Sequence, residues 1–159
     1  MCPRQRVDLT EPRLSGYLTI HIFVSEVREI ELPSQIESVE AAAAAAEEFA
    51  RERGFGDEVV FAIDLGIRES VANAVKHGNK FDESKSVRLK MSDVPEGFEI
   101  MVQDSGSGFS VDDIPDPTNP ENLLKTNGRG ILFMRSFMDE VEWSNPPEGG
   151  LTVKMLKKR

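Results

Sequence analysis

The chain has 159 residues, enough for one domain with a substantial core. Its 28 acidic against 19 basic residues give a net charge of −9, which argues against nucleic acid or an anionic membrane as the main partner. The single Cys2 excludes an intrachain disulfide and a thiolate metal cluster, and no apolar run approaches the roughly 20 residues that span a bilayer, so a cytoplasmic protein is expected.

Residues 1–16 mix Pro3, Pro12, arginines and threonine without periodicity and read as a flexible N-terminal tail; Arg4 and Arg6 are followed by polar residues, unlike a signal peptide. A single domain is expected over 17–159. Tyr17–Val24 is rich in β-branched and aromatic residues and predicts the first strand, with His21 as a packed or surface residue inside it. Pro33 and Ser34 predict the start of a helix through Arg53, in which the run Ala41–Ala46 makes a thin surface for close packing. Gly54 and Gly56 break it, and Asp57 is the expected N-cap of the next helix.

That helix is the centre of the chain. Val60, Ile63, Ile67, Val71, Ala74 and Val75 recur at the spacing of one helical face. Glu69, Asn73, Lys76 and Lys80 form a different stripe, if the helix runs that far, and Gly78 reads as its stop. Charge on the solvated side of a helix is ordinary, but asparagine is less so, because it favours caps over interiors. Its neutral oxygen suits a hard cation such as magnesium, and a glutamate can take a proton from a nucleophile.

Ser86–Met91 and Gly97–Val102 alternate around the turn residues Asp93–Gly97 and predict a hairpin. The second strand runs into Asp104-Ser-Gly106-Ser-Gly108, where glycines permit close approach of a ligand. Calcium loops and plain turns use the same letters, and a dinucleotide fingerprint lacks its third glycine. Residues 110–127 are irregular and long enough to be functional or disordered. They close on Thr126-Asn127-Gly128-Arg129-Gly130 and the amphipathic helix Ile131–Met138, a start that reads either as an anion site or as a hinge. Asp139–Trp143 and Leu151–Met155 predict a last strand pair around Asn145–Gly150, and Lys157, Lys158 and Arg159 a solvated end.

Each motif is modest alone; their order is specific. Glu69-x-x-x-Asn73 on a helix, Asp104-x-Gly106-x-Gly108 after a strand, and a lid-like loop closing on Gly128-Arg-Gly130 resemble the Bergerat ATP-binding fold of the GHKL superfamily. The short lid at 116–124 and the ending Gly130–Val141 resemble the anti-sigma-factor serine/threonine kinases within it. The resemblance covers residues 17–156 and implies an α+β fold: a two-layer sandwich whose mixed, mainly antiparallel sheet is covered by helices on one face.

It also implies roles. Asn73 would bind Mg²⁺, Glu69 would act as the catalytic base, and Asp104 would accept a hydrogen bond from the adenine amino group of ATP, as an ionised carboxylate can. Gly106 and Gly108 would pass beside the base. Gly128 and Gly130 would offer N–H groups to the triphosphate, with Thr126 beside them and Arg129, Lys76 or Lys80 as charge partners. Some relatives carry an arginine before the first lid glycine, where this chain has Thr126 and Asn127. The implied function is a kinase that sequesters a partner, such as a sigma factor, and phosphorylates a STAS-type anti-anti-sigma protein, commonly as a homodimer and with no direct nucleic-acid or membrane contact. A nucleotide-dependent binding module without significant kinase activity is the alternative. A detached histidine kinase domain would need a dimerisation helix with a phosphoacceptor histidine; His77 instead lies in the motif helix.

Overall fold

The computed structural model describes residues 26–107, 110, 112, 114, 116, 118–123 and 126–159, with the backbone alone at 122, 123 and 126–129. The expected tail, the strand at 17–24, His21 and Gly108 lie outside the described residues. The described elements are β1 (Glu26–Pro33), α1 (Glu37–Glu52), α2 (Asp57–Asn73) continued by a π-helical turn (Ala74–Gly78), β2 (Ser86–Val94), β3 (Gly97–Gln103), the short α3 (Pro120–Leu123), α4 (Thr126–Phe137), β4 (Glu140–Ser144) and β5 (Thr152–Lys158).

The strands form a five-stranded sheet in the order β1-β2-β3-β5-β4. Every described pairing is antiparallel, with Ile30 opposite Leu89, Met91 opposite Ile100 and Val102 opposite Val153. Alternation explains the layering. Val87, Leu89, Met91, Phe98, Ile100, Val102, Val153 and Met155 are buried on one face, where Ile63, Ile67, Val71 and Val75 of α2 and its π turn complete the core. The other face carries cross-strand ion pairs, Glu29 to Lys90 at 3.5 Å and Lys154 to Glu99 at 2.9 Å. An antiparallel sheet tolerates such a solvated face. The two-layer α+β architecture is therefore the one expected.

Three expectations change. β1 was not anticipated: its register along β2 extends to Pro33 opposite Ser86, so Pro33 ends a strand and does not open a helix. The Ser34 hydroxyl donates to the Lys85 carbonyl at 2.8 Å, and α1 starts at Glu37. Its Ala42, Ala43 and Ala46 are buried against α2, the close packing that alanine allows. Second, the cap of α2 is Gly56 in an extended conformation; Asp57 sits in the first turn and pairs with Arg51 at 2.9 Å. A carboxylate there complements the helix dipole. Third, the C-terminal cations, although Lys158 and Arg159 are exposed, are tied into the structure. β5 runs to Lys158, Lys157 pairs with Asp139 at 3.4 Å, and the Arg159 guanidinium lies 4.5 Å from the centroid of Phe55 while pairing with Asp93.

Phe98 sits at the centre of an aromatic cluster, edge-on to Phe49 at 5.7 Å and to Phe55 at 5.4 Å between centroids. It is fully buried. Phe98→Ala is expected to destabilise the protein by about 3–5 kcal/mol, the cost of a large cavity plus lost burial. Urea unfolding should show this as a lower midpoint with an unchanged slope.

Candidate functional site

Glu69 lies on α2, half-buried, with Asn73 one turn further on at the last α-helical residue. Across from Glu69 stands Gly130, whose Cα is so close that a side chain there would overlap the Glu69 carboxylate. α4 begins at Thr126, so Gly130 is its fifth residue and Gly128 belongs to its first turn. An N–H in the fifth position is already bonded within a helix. Gly130 therefore serves close approach to Glu69, while the free N–H groups lie in the turn that includes Gly128.

After Asn73 the helix widens. The N–H of Asn79 donates to the carbonyl of Ala74 at 2.8 Å, five residues back, and that of Phe81 to Val75 at 2.9 Å. π turns of this kind recur at functional sites. The helical run ends at Gly78, before Lys80; Lys76 and Lys80 are both exposed, and neither forms an ion pair with a described residue. Left-handed backbone falls on Lys80 (φ 53) and Phe81 (φ 58), so Gly78 is not needed as a left-handed stop.

Gly78 has another task. A Cβ on it would overlap the carboxylate of Asp104, and a Cβ on Gly106 would overlap the Gly78 carbonyl. A Cβ on Gly150, which has φ +85, would overlap the carbonyl of Asp104. Three chain segments thus meet with no room for a side chain. Asp104 is 4% exposed there. Its Oδ1 accepts the N–H groups of Gly106 at 3.0 Å and Leu151 at 3.2 Å, whereas Oδ2 accepts none among the described residues. Burial pushes the Asp104 carboxyl above the ordinary aspartate range, against the opposing pull of those two N–H groups and the charge of Lys85.

The arrangement brings Glu69, Asn73 and Gly130 together at one end of a continuous rod, and Asp104 with Gly106 at the other. The helical rise puts Glu69 and Gly78 roughly 13 Å apart along the axis. Thr126, Gly128 and Arg129 are in the first turn of α4 by their backbone, and Gly108 lies outside the described residues. Two participants were missed. Gly150 was taken for part of a plain turn, although a glycine pair before a strand is a signal. Asn79, directly after the helix stop, carries no sequence signal of its own; it is buried and its side chain makes three hydrogen bonds.

A buried carboxylate at one end of the rod and a second carboxylate with an amide one turn further on, each met by a glycine, are the features the geometry brings together. Residues 32–157 match the model of the histidine kinase-like ATPase domain family. The chain belongs to that family. ATP is the nucleotide used by this histidine kinase-like ATPase class. The chain is similar to the serine-protein kinase RsbW of Oceanobacillus iheyensis, 26% identical over 135 residues, 81% of this chain and 84% of that one. RsbW of Bacillus subtilis is 27% identical over 135 residues, 81% and 83% of the two chains. An anti-sigma F factor of Clostridium perfringens is 33% identical over 100 residues, 60% and 70% of the two chains. Among solved structures, the RsbU and RsbW domains of a Mycobacterium tuberculosis protein superpose with a TM-score of 0.58 at 18% identity, over 84% of this chain. This chain spans 32% of that one, and the likeness is one of fold.

The shifted carboxyl has a measurable consequence. The folded state holds the Asp104 proton more tightly than the unfolded chain, whose aspartates titrate near about 4. Its contribution to stability is therefore full below that pH and is lost as pH rises through the raised folded value. Asp104→Asn removes this loss. Thermal melts are expected to show the smallest difference between variant and wild type near pH 4, with the variant the more stable by pH 8.

Proposed function

We propose that this protein is an ATP-dependent serine/threonine kinase of the anti-sigma type, acting in the cytoplasm. It would sequester a sigma factor and phosphorylate a STAS-type anti-anti-sigma protein, as a homodimer. The observation that carries this reading is that one rod bears a carboxylate under Gly130 and meets, at its Gly78 end, a buried, half-satisfied carboxylate at Asp104. The second accepts from the adenine amino group through Oδ2, and Gly106 lets the Asp104 loop rest on the Gly78 carbonyl. The distance between the two ends suits an extended nucleoside triphosphate.

The residues present fit a magnesium ion. Asn73 is half-buried and its side chain makes no hydrogen bond with a described residue, which leaves a neutral oxygen free. No cluster of three or more acidic or histidine ligands exists among the described residues. A single protein oxygen is what Mg²⁺ needs when phosphates and water supply the rest. Bound there, it would neutralise charge on the phosphate oxygens. N–H groups in the first turn of α4, including that of Gly128, would hold the phosphate chain, and Thr126, Arg129, Lys76 and Lys80 would add hydrogen bonds or charge. Glu69 then takes the proton of a partner's Ser or Thr hydroxyl. The hydroxyl oxygen bonds to the γ-phosphorus, the bond to the β–γ bridging oxygen breaks, and ADP leaves.

One observation favours the alternative, a nucleotide-dependent binding module without significant kinase activity. Gly130 packs directly on Glu69, so a hydroxyl reaches that carboxylate only if the start of α4 moves. ATP binding with and without Mg²⁺, and phosphate transfer to a STAS partner, separate the two. Glu69→Ala is expected to bind ATP within about threefold of wild type while transfer falls about 10²–10⁴-fold, the usual contribution of a general base. Wild-type protein that binds ATP and transfers nothing would leave the binding module standing.

A further inference from the structure

Asn79 is 1% exposed, and its carboxamide joins three separate parts of the chain. Nδ2 donates to the Ser34 hydroxyl, just past β1, at 2.6 Å and to the Ser86 carbonyl at the head of β2 at 2.9 Å. Oδ1 accepts the N–H of Ser105 at 2.9 Å. A carbonyl can only accept and a backbone N–H can only donate, so the orientation of this amide is fixed by its partners.

Ser105 is the residue between Asp104 and Gly106. Its N–H belongs to the peptide plane that leaves Asp104, so Asn79 holds that plane directly. Gly78, next to Asn79 in sequence, presses on the Asp104 carboxylate, and the Gly106 and Leu151 N–H groups fix Oδ1. With the plane held and Oδ1 occupied, Oδ2 has one direction left to face. We infer that Asn79 is a positioning residue for base recognition: by holding Ser105 it aims Asp104 Oδ2 at the exocyclic group of the purine, and so sets the preference for adenine over guanine. The inference rests on the reading of Asp104 as the base acceptor. Adenine offers an amino donor where guanine offers the O6 acceptor, so a fixed carboxylate oxygen rewards one and repels the other. A carboxylate free to turn discriminates less.

The test compares binding of ADP and GDP, by calorimetry, to the full chain and to Asn79→Ala, Ser34→Ala and Asp104→Asn, with a thermal melt of each. Ser34→Ala removes an acceptor from the same amide but leaves the Ser105 contact intact. It is expected to lower the melting temperature while keeping ADP affinity and the ADP:GDP ratio within about twofold. Asn79→Ala is expected to weaken ADP by about tenfold or more, the scale of a lost buried hydrogen bond, and to narrow the ADP:GDP ratio. Should it fail to fold, Asn79→Thr fills more of the site, still cannot reach Ser105, and is expected to narrow the ratio as well. An unchanged ratio in the Asn79 variants overturns the inference, whether affinity holds or falls only in step with stability. If wild type does not prefer ADP, or Asp104→Asn binds both nucleotides as wild type does, the Asp104 reading itself fails and the inference with it.

Discussion

Everything around Asp104 depends on how close its loop comes to the end of the α2 rod. Gly78 against the Asp104 carboxylate, Gly106 against the Gly78 carbonyl and Gly150 against the Asp104 carbonyl leave no space for any side chain. This contact ties the central helix to the exit of β3 and the entry to β5. It buries a carboxylate that the chain satisfies on one oxygen only. The resulting penalty on the charged form is stability given up at neutral pH in exchange for an acceptor that is already in place.

The opposite end of the rod follows the same logic with looser parts. Gly130 allows the first turns of α4 to rest on Glu69, and Asn73, one turn further on, has its amide uncommitted to any described residue. The core supports this geometry from below. Ile63, Ile67 and Val71 of α2 are fully buried over the sheet, and Gly66 lets the sulfurs of Met138 and Met155 approach to where a Cβ would lie 3.3 Å away. A helix fixed along its apolar face holds its polar face still, which a site spread over nine residues requires.

The central helix, the β2–β3 hairpin and the last strand pair were legible because each follows a clear period. β1 was not, because Glu26-Val-Arg-Glu-Ile-Glu-Leu-Pro33 carries its acidic residues on the solvated face and reads as a polar stretch until its register is known. Ser34 reads as part of a helix start, but its hydroxyl is committed to a carbonyl 51 residues away. The motif glycines were recognised as places of close approach, yet what approached them was not visible: Gly78 read as a stop, Gly150 as a turn. Both meet Asp104, from positions 26 residues before it and 46 after. Local sequence carries the need for a small residue and says nothing of its partner. Lys80 falls beyond the helix for a different reason, since a change from α to π geometry leaves no mark that a fixed helical period can detect.

That π turn bears on how the chain tolerates change in length. A π turn is an α-helical turn with one residue too many, and here the surplus residue sits between Asn73 and Asn79. Removing any one residue from 74–78 would let the segment relax into an ordinary helix. Every later residue would then rotate by about a quarter turn or more. Asn79 would leave the three groups it joins and Gly78 would leave the carboxylate, although no letter of either motif had been altered. In this part of the molecule the spacing is as much a part of the information as the residues, and an alignment gap there would be equivalent to the loss of a site residue.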